Sequence, residues 1–216
     1  TFLLHVNQHL MNQESEFPIP LGKKMVVIGG GNVAMDCARS ALRMGVEEVH
    51  VAYRRSEDEM PADREEIKAA KEEGVEFHFL SQPVRLISRD GKVEAIEFVE
   101  MELGEEDSSG RRSVSPKKNS HFRVRTDDVI VAIGQTVDST FIRPEDDIEL
   151  HPWKLIKVDK RLETSRKGGF AGGDCVLGPA TLIQAMAQGM KGAQSIDQYL
   201  TDGRTSFDPD ERMSEI

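Results

Sequence analysis

The sequence predicts an α/β fold built on a parallel sheet, with a small antiparallel hairpin layer beside it. Three observations predict it. The short apolar run Lys24-Met25-Val26-Val27-Ile28 leads straight into Gly29-Gly30-Gly31. Behind that turn Ala34, Ala38, Ala41 and Leu42 recur three or four residues apart, the spacing of one helix face. A second apolar run, Val49-His50-Val51-Ala52-Tyr53, follows Gly45. Continuous apolar runs suit strands buried on both faces of a parallel sheet, and strand, helix, strand within about 30 residues is a βαβ unit.

The remaining elements extend this pattern. Residues 1–21 read as a lead-in whose Phe17-Pro18-Ile19-Pro20 is extended linker. Pro61 to Glu73 reads as a helix closed by Gly74, and Val75-Glu76-Phe77-His78-Phe79 as a third strand. The stretch Val84 to Val99 alternates and breaks at Asp90-Gly91, which predicts a hairpin. Residues 104–120 are rich in Gly, Ser and Lys and predict a loose loop. Val129 to Ile133 predicts another buried strand, ending at Gly134, and Ile156-Lys157-Val158 a short one. From Ala180 to Leu200 the residues Ile183, Met186, Met190, Ala193, Ile196 and Leu200 keep helical spacing, so a long amphipathic helix is expected.

Composition narrows the function. The 216 residues are 38% hydrophobic and 31% charged, a globular composition, and the net charge is −10. An acidic chain lacks the basic surface that nucleic acid or anionic lipid needs, so neither partner is expected. No apolar run is long enough to span a bilayer, and the opening segment lacks the features of a signal peptide. Cys37 and Cys175 form no CxxC, so neither a disulfide framework nor a zinc site is implied and a reducing cytoplasm fits. The six histidines form no HxxH or HExxH, and no metal site is expected. His5 and His9 read as surface residues, Asp36 as a structural capping or pairing residue, and the charge run 57–76 as a solvated helix face.

The chemistry lies in three motifs. Gly29-Gly30-Gly31-Asn32-Val33-Ala34 is a GxGxxA placed between a buried strand and a helix. Gly29 permits the tight turn, Gly31 lets the backbone approach a pyrophosphate, and Ala34 allows close helix–strand packing. The helix N-terminus adds unpaired N–H groups and a partial positive charge. This is the signature of a Rossmann-type nucleotide-binding sheet. About 20 residues beyond a GxGxxG-type motif an NAD-binding chain carries an acidic residue for the ribose 2′-OH. Here the strand ends in Tyr53-Arg54-Arg55, and two guanidiniums suit a 2′-phosphate instead. The third motif is Gly172-Gly173-Asp174, followed by Gly178-Pro179-Ala180-Thr181 and the long helix. A carboxylate there can bond a ribityl hydroxyl, and the helix end can face the flavin ring where negative charge grows on reduction.

These segments carry a resemblance. GKKMVVIGGGNVAMDCARSALRMG, then VAYRRSEDEMPA, then KEEGVEF, is similar to the NADPH-binding domain of the glutamate synthase small-subunit family, itself similar to the reductase half of dihydropyrimidine dehydrogenase. Val129 to Gln135, with Gly134, resembles the family's crossover strand back to the flavin domain. Phe170-Ala171-Gly172-Gly173-Asp174-Cys175 resembles its C-terminal flavin signature. The likeness spans roughly residues 20–200. It implies NADP(H) and FAD as cofactors, the NADPH domain being inserted within the FAD domain. It also implies hydride transfer from NADPH to FAD, with electrons passing on to iron–sulfur centres or a large catalytic partner subunit. No catalytic side chain is named, because hydride transfer rests on positioning.

The chain departs from the family in carrying one Gly-rich fingerprint and none of the N-terminal iron–sulfur cysteines. It opens on Thr1 rather than Met, and is read as a C-terminal portion. The expected organisation is a lead-in over 1–21, an NADP(H)-binding domain over 22–126, the C-terminal part of an FAD-binding domain over 127–205 and a tail over 206–216. Such a portion is expected to be inactive alone, with a homo-oligomer open as an assembly. The alternative reading is a non-catalytic nucleotide-binding or docking module. An NADP-dependent dehydrogenase acting directly on a small substrate lacks a Lys, Tyr or Ser catalytic set.

Overall fold

The computed structural model of the chain describes residues 2–12, 17–106, 112–151 and 153–205. The tail 206–216 lies outside them. The chain divides into two compact units, Thr1–Gly134 and Gln135–Ile216.

The first unit opens with a helix, α1 (Phe2–Met11), where the sequence suggested only a lead-in. Its Val6 is buried, and Phe2 and Leu3 pack on the core. His9 is half-buried against the Phe17 ring at 5.7 Å rather than lying on the surface. The βαβ unit follows as read: β1 (Lys24–Ile28), α2 (Asn32–Arg43) and β2 (Glu48–Ala52). Gly45, at φ +94°, turns the chain out of α2. A 3₁₀ turn spans Glu57–Glu59, and α3 (Arg64–Glu72) begins only after Asp63, whose carboxylate accepts from the Glu65 N–H. The helix therefore starts three residues later than Pro61, at the first good N-cap.

β3 (Glu76–His78), β4 (Ser81–Arg89), β5 (Lys92–Glu106), β6 (Arg112–Arg125) and β7 (Asp128–Val131) complete the unit. The parallel sheet runs in the order β3-β2-β1-β7, and β4-β5-β6 form a separate antiparallel sheet. The β4–β5 hairpin turns at Asp90 and Gly91, both with positive φ, as a two-residue primed turn requires. The expected loop over 104–120 is largely strand: Leu103 pairs with Val114 and Glu106 with Arg112. β6 is an edge strand and mostly exposed, so its polar sequence carries no period-two signal, and Pro116 falls at a register shift where the ladder tolerates it.

Two apolar layers hold the unit. On one face of the parallel sheet Met25, Val27, Val49 and Val51 pack against Ala34, Met35, Ala38 and Ala41 of α2 and Ile67 and Ala70 of α3. On the other face Val26 and Ala52 meet Ile96, Phe98 and Val124 of the antiparallel sheet. Arg39 of α2 pairs with Glu66 and, at 2.8 Å, with Glu73, tying α2 to α3. That hydrogen bond, together with one from Arg43, holds the Glu73 carboxyl below the usual range. The charge run 57–76 is thus partly used in pairing; Lys71 holds Glu57 at 2.6 Å. Asp36 instead sits exposed inside α2 and makes no cap, hydrogen bond or ion pair among the described residues.

The second unit contains the short helix α4 (Asp174–Leu177) and the long α5 (Leu182–Asp202). The short strand expected over Ile156-Lys157-Val158 is instead part of a set of isolated antiparallel bridges: Leu150 with Ile156, Val158 with Thr164, and Glu163 with Phe170. Helical period is confirmed in α5, but the face it buries is a different one. Ser195 is fully buried and donates to the Arg161 carbonyl at 2.6 Å, and Tyr199 packs edge-on against Phe170. Leu182, Ile183, Met186, Met190 and Leu200 are exposed. No helix among the described residues is long and apolar enough to cross a membrane.

Phe98 is fully buried between the two sheets and stacks on Phe122 at 5.5 Å. Phe98→Ala removes that filling, and denaturant unfolding is expected to show a loss of about 3–5 kcal/mol.

Candidate functional site

At the C-terminal end of β1 the backbone turns at Gly29 with φ +146°. A Cβ there would sit 2.2 Å from the Ala132 carbonyl oxygen, which follows β7. The Gly29 N–H donates to the Ala52 carbonyl and the Ala132 N–H to the Ile28 carbonyl, so the turn is fastened on both sides. At Gly30 a Cβ would meet the Tyr53 ring at 2.5 Å. Gly31 differs: nothing lies within 4 Å of the position its Cβ would take. It is the N-cap of α2 and makes no side-chain cap. The N–H groups that open a helix have no intrahelical acceptor, so Gly31, Asn32 and Val33 present an open, partly positive cradle. Val33 is exposed and Ala34 fully buried, as tight packing of α2 on the sheet demands.

The side chain of Asn32 is engaged elsewhere. Its Oδ1 accepts from the Asp63 N–H at 2.8 Å. The Ala62 N–H donates to the Gly30 carbonyl at 3.0 Å, the Tyr53 hydroxyl donates to the Glu59 carbonyl at 2.9 Å, and Met60 and Ala62 are buried. Met60-Pro61-Ala62, whose role sequence reasoning did not supply, is therefore the strap that holds the glycine loop. Only the apolar character of Met60 and Ala62 hinted at it.

The two arginines after β2 are not equivalent. Arg54 is exposed, with no hydrogen bond or ion pair among the described residues. Arg55 Nε donates to the Arg112 carbonyl at 2.8 Å, and its own carbonyl accepts from Leu80. Gly134 closes the unit at φ +103° with open space at its Cβ position.

In the second unit the Gly173 N–H donates to Gln188 Oε1 of α5 at 2.6 Å, and Gly173 takes φ +76°. Asp174 is exposed and opens α4; its Oδ1 accepts from the Ala180 N–H at 3.4 Å. Thr181 is the N-cap of α5 and shares a capping box with Gln184. Its hydroxyl and its N–H are both used there, so the N–H groups left to a ligand are those of Leu182 and Ile183. Sequence reasoning named Ala180 and Thr181; the capping box moves the open donors one turn position onward.

The thiols differ too. Cys37 is buried in α2, and burial, with Asp36 nearby, pushes its pKa up to about 11. Cys175 Sγ donates to the Gly172 carbonyl at 3.2 Å. The structure also brings together three residues that were assigned no role, His50, Glu76 and His78, with Nδ1 of His50 3.2 Å from Nε2 of His78. Burial and then the neighbouring His50 lower the His78 pKa, against Glu76.

Residues 3–189 match the family model for pyridine nucleotide-disulphide oxidoreductases. The chain belongs to that family. Among its relatives, the NADP(+)-dependent formate dehydrogenase subunit beta of Moorella thermoacetica is 50% identical over 86% of the chain and 26% of the relative. The NADPH-Fe(3+) oxidoreductase subunit beta of Geobacter sulfurreducens is 39% identical over 92% of the chain and 33% of the relative. The glutamate synthase [NADPH] small chain of Escherichia coli is 38% identical over 92% of the chain and 44% of the relative, which bears out the resemblance read from the motifs. The chain thus spans between a quarter and a half of these relatives. The fold is similar to that of T. acidophilum thioredoxin reductase, at TM-score 0.67 and 22% identity over 84% of the chain and 54% of the reductase. It is also similar to FprA from Mycobacterium tuberculosis in complex with NADPH, at TM-score 0.65 and 16% identity over 90% and 57%.

The three glycines make separable demands. Gly29→Ala is expected to cost about 1–3 kcal/mol from backbone strain alone, before its clash with Ala132. Gly31→Ala costs under about 1 kcal/mol, the Gly–Ala difference at an N-cap. Thermal unfolding of the two variants checks the order.

Proposed function

We propose that this chain is the NADP(H)-binding part of a flavin-dependent oxidoreductase that passes electrons on to iron–sulfur centres or a partner subunit. One observation carries the reading: the only residue of the glycine turn with room for a Cβ, Gly31, stands over the open N-terminus of α2. Space of that kind over unpaired N–H groups suits a pyrophosphate. The N–H groups of Gly31, Asn32 and Val33 bind it, and Gly29, Gly30 and Ala34 shape the turn that presents them. Arg54, exposed and unpaired among the described residues, takes a 2′-phosphate, with the outer nitrogens of Arg55 beside it. The three relatives support the choice of dinucleotide, since each is named for NADP or NADPH.

The second unit supplies the flavin contacts. Asp174 accepts from a ribityl hydroxyl, the left-handed turn at Gly173 brings the backbone close, and the start of α5 at Ala180 and Thr181 faces the ring, with Leu182 and Ile183 donating. A nicotinamide dinucleotide bound to such a protein supplies hydride, and a flavin accepts it. The residues of this chain bind and orient, and none moves a proton.

Calorimetric titration is expected to show NADPH binding at least about tenfold more tightly than NADH, because a hydrogen bond to a charged group is worth about 1.5–3 kcal/mol. Arg54→Ala narrows the gap. Equal affinity for the two nucleotides overturns the assignment. The isolated 216-residue chain is expected to bind NADPH yet lack stoichiometric FAD and fail to reduce an artificial acceptor. Bound flavin with steady turnover refutes that part of the reading.

A further inference from the structure

We propose that His50, Glu76 and His78 form a binding site for a divalent transition-metal ion of the zinc class. The register of the parallel sheet creates it. β2 pairs with β3 so that His50 lies opposite Glu76, and Ala52 opposite His78. His50 and Ala52 are two apart, so they share a sheet face, and Ala52 packs on the antiparallel sheet. The three side chains therefore converge on that inner face, at the outer end of the sheet. One ligand atom from each lies within 4.8 Å of the others.

The distances fit an ion. His50 Nδ1 and His78 Nε2 are 3.2 Å apart, and His50 Nδ1 and Glu76 Oε2 are 3.3 Å apart. Ligands about 2.0–2.1 Å from a tetrahedral zinc ion stand about 3.3 Å from one another. The site is also partly made before an ion arrives. His50 is 9% exposed, and the His78 ring lies against Phe122 at 6.2 Å, so neither imidazole is loose on the surface. Glu76 is exposed, and His78 lines an open cavity of about 830 Å³ together with Phe122, Lys117 and Arg112. The exposed Glu76 side of the cluster gives an ion a route in and leaves its fourth position to water. Two imidazoles and one carboxylate favour zinc, nickel or copper over magnesium or calcium, which take oxygen ligands. The cluster lies on the sheet face that packs on the antiparallel sheet, opposite the face that carries α2 and its open N-terminus, so ion binding is separate from nucleotide binding.

The test uses the full 216-residue chain stripped with a chelator. Zinc titration by calorimetry is expected to give one ion per chain, and cobalt titration the visible bands of a four-coordinate ion. Glu76→Gln alters an exposed side chain and leaves the fold intact; His78→Gln keeps bulk and polarity. Each is expected to weaken zinc binding at least as much as the roughly 10–100-fold that loss of an outer-shell partner costs. His121→Gln, at an exposed position outside the cluster, leaves zinc affinity unchanged. NADPH affinity stays the same in all three variants. Absence of stoichiometric binding overturns the proposal, as does zinc affinity unmoved by both Glu76→Gln and His78→Gln. In that outcome the two imidazoles share only a hydrogen bond.

Discussion

The first unit depends on the crowding around Gly29. β1 is the inner strand between β2 and β7, and the chain leaving it must pass the Ala132 carbonyl at a separation no side chain permits. A residue with a Cβ would push β7 away from β1 or divert the turn. Either change would move the N-terminus of α2, and with it the N–H groups that define the candidate site. The sheet, the turn and the helix start are therefore one constraint. Its strength comes from parallel pairing on both sides of β1, a fully buried strand core and an α2 pressed close by Ala34 and Ala38.

A second layer of control lies outside the fingerprint. The segment from Tyr53 to Asp63 returns over the glycine turn and bonds it through Ala62 and Asn32. Tyr53 fills the space beside Gly30 and anchors the same segment at Glu59. The turn and the arginine pair are thus held by one set of contacts, so the distance between the open start of α2 and Arg54 is set by the fold.

Much of this was legible in the sequence. The βαβ unit, the hairpin turn at Asp90-Gly91, the glycine turn and the long C-terminal helix each leave a local pattern. What escaped had no local pattern. β6 is polar on an exposed edge, so 104–120 resembled loop. α1 is short, and the bonds that matter to it are packing contacts with distant residues. In α5 the apolar stripe had the right period, but the contacts within its unit run through Gln188, Ser195 and Tyr199 instead. The roles of Asn32, Ala62 and Thr181 are hydrogen bonds to partners whose choice depends on tertiary geometry. His50 and His78 lie 28 residues apart, and only the strand register makes them neighbours.

The strap has a consequence for how this protein can change. Residues 53–62 contain two kinds of position interleaved in one short stretch. Tyr53, Met60 and Ala62 face inward and fix the glycine turn, whereas Arg54 and Asp58 point to solvent. Substitution is confined to the outward set, which can be exchanged without disturbing the turn. Insertions or deletions here are barred, since a shift of one residue would carry the inward set out of its contacts. If Arg54 reads the coenzyme as proposed, a lineage could alter which coenzyme it accepts by point substitution at constant length.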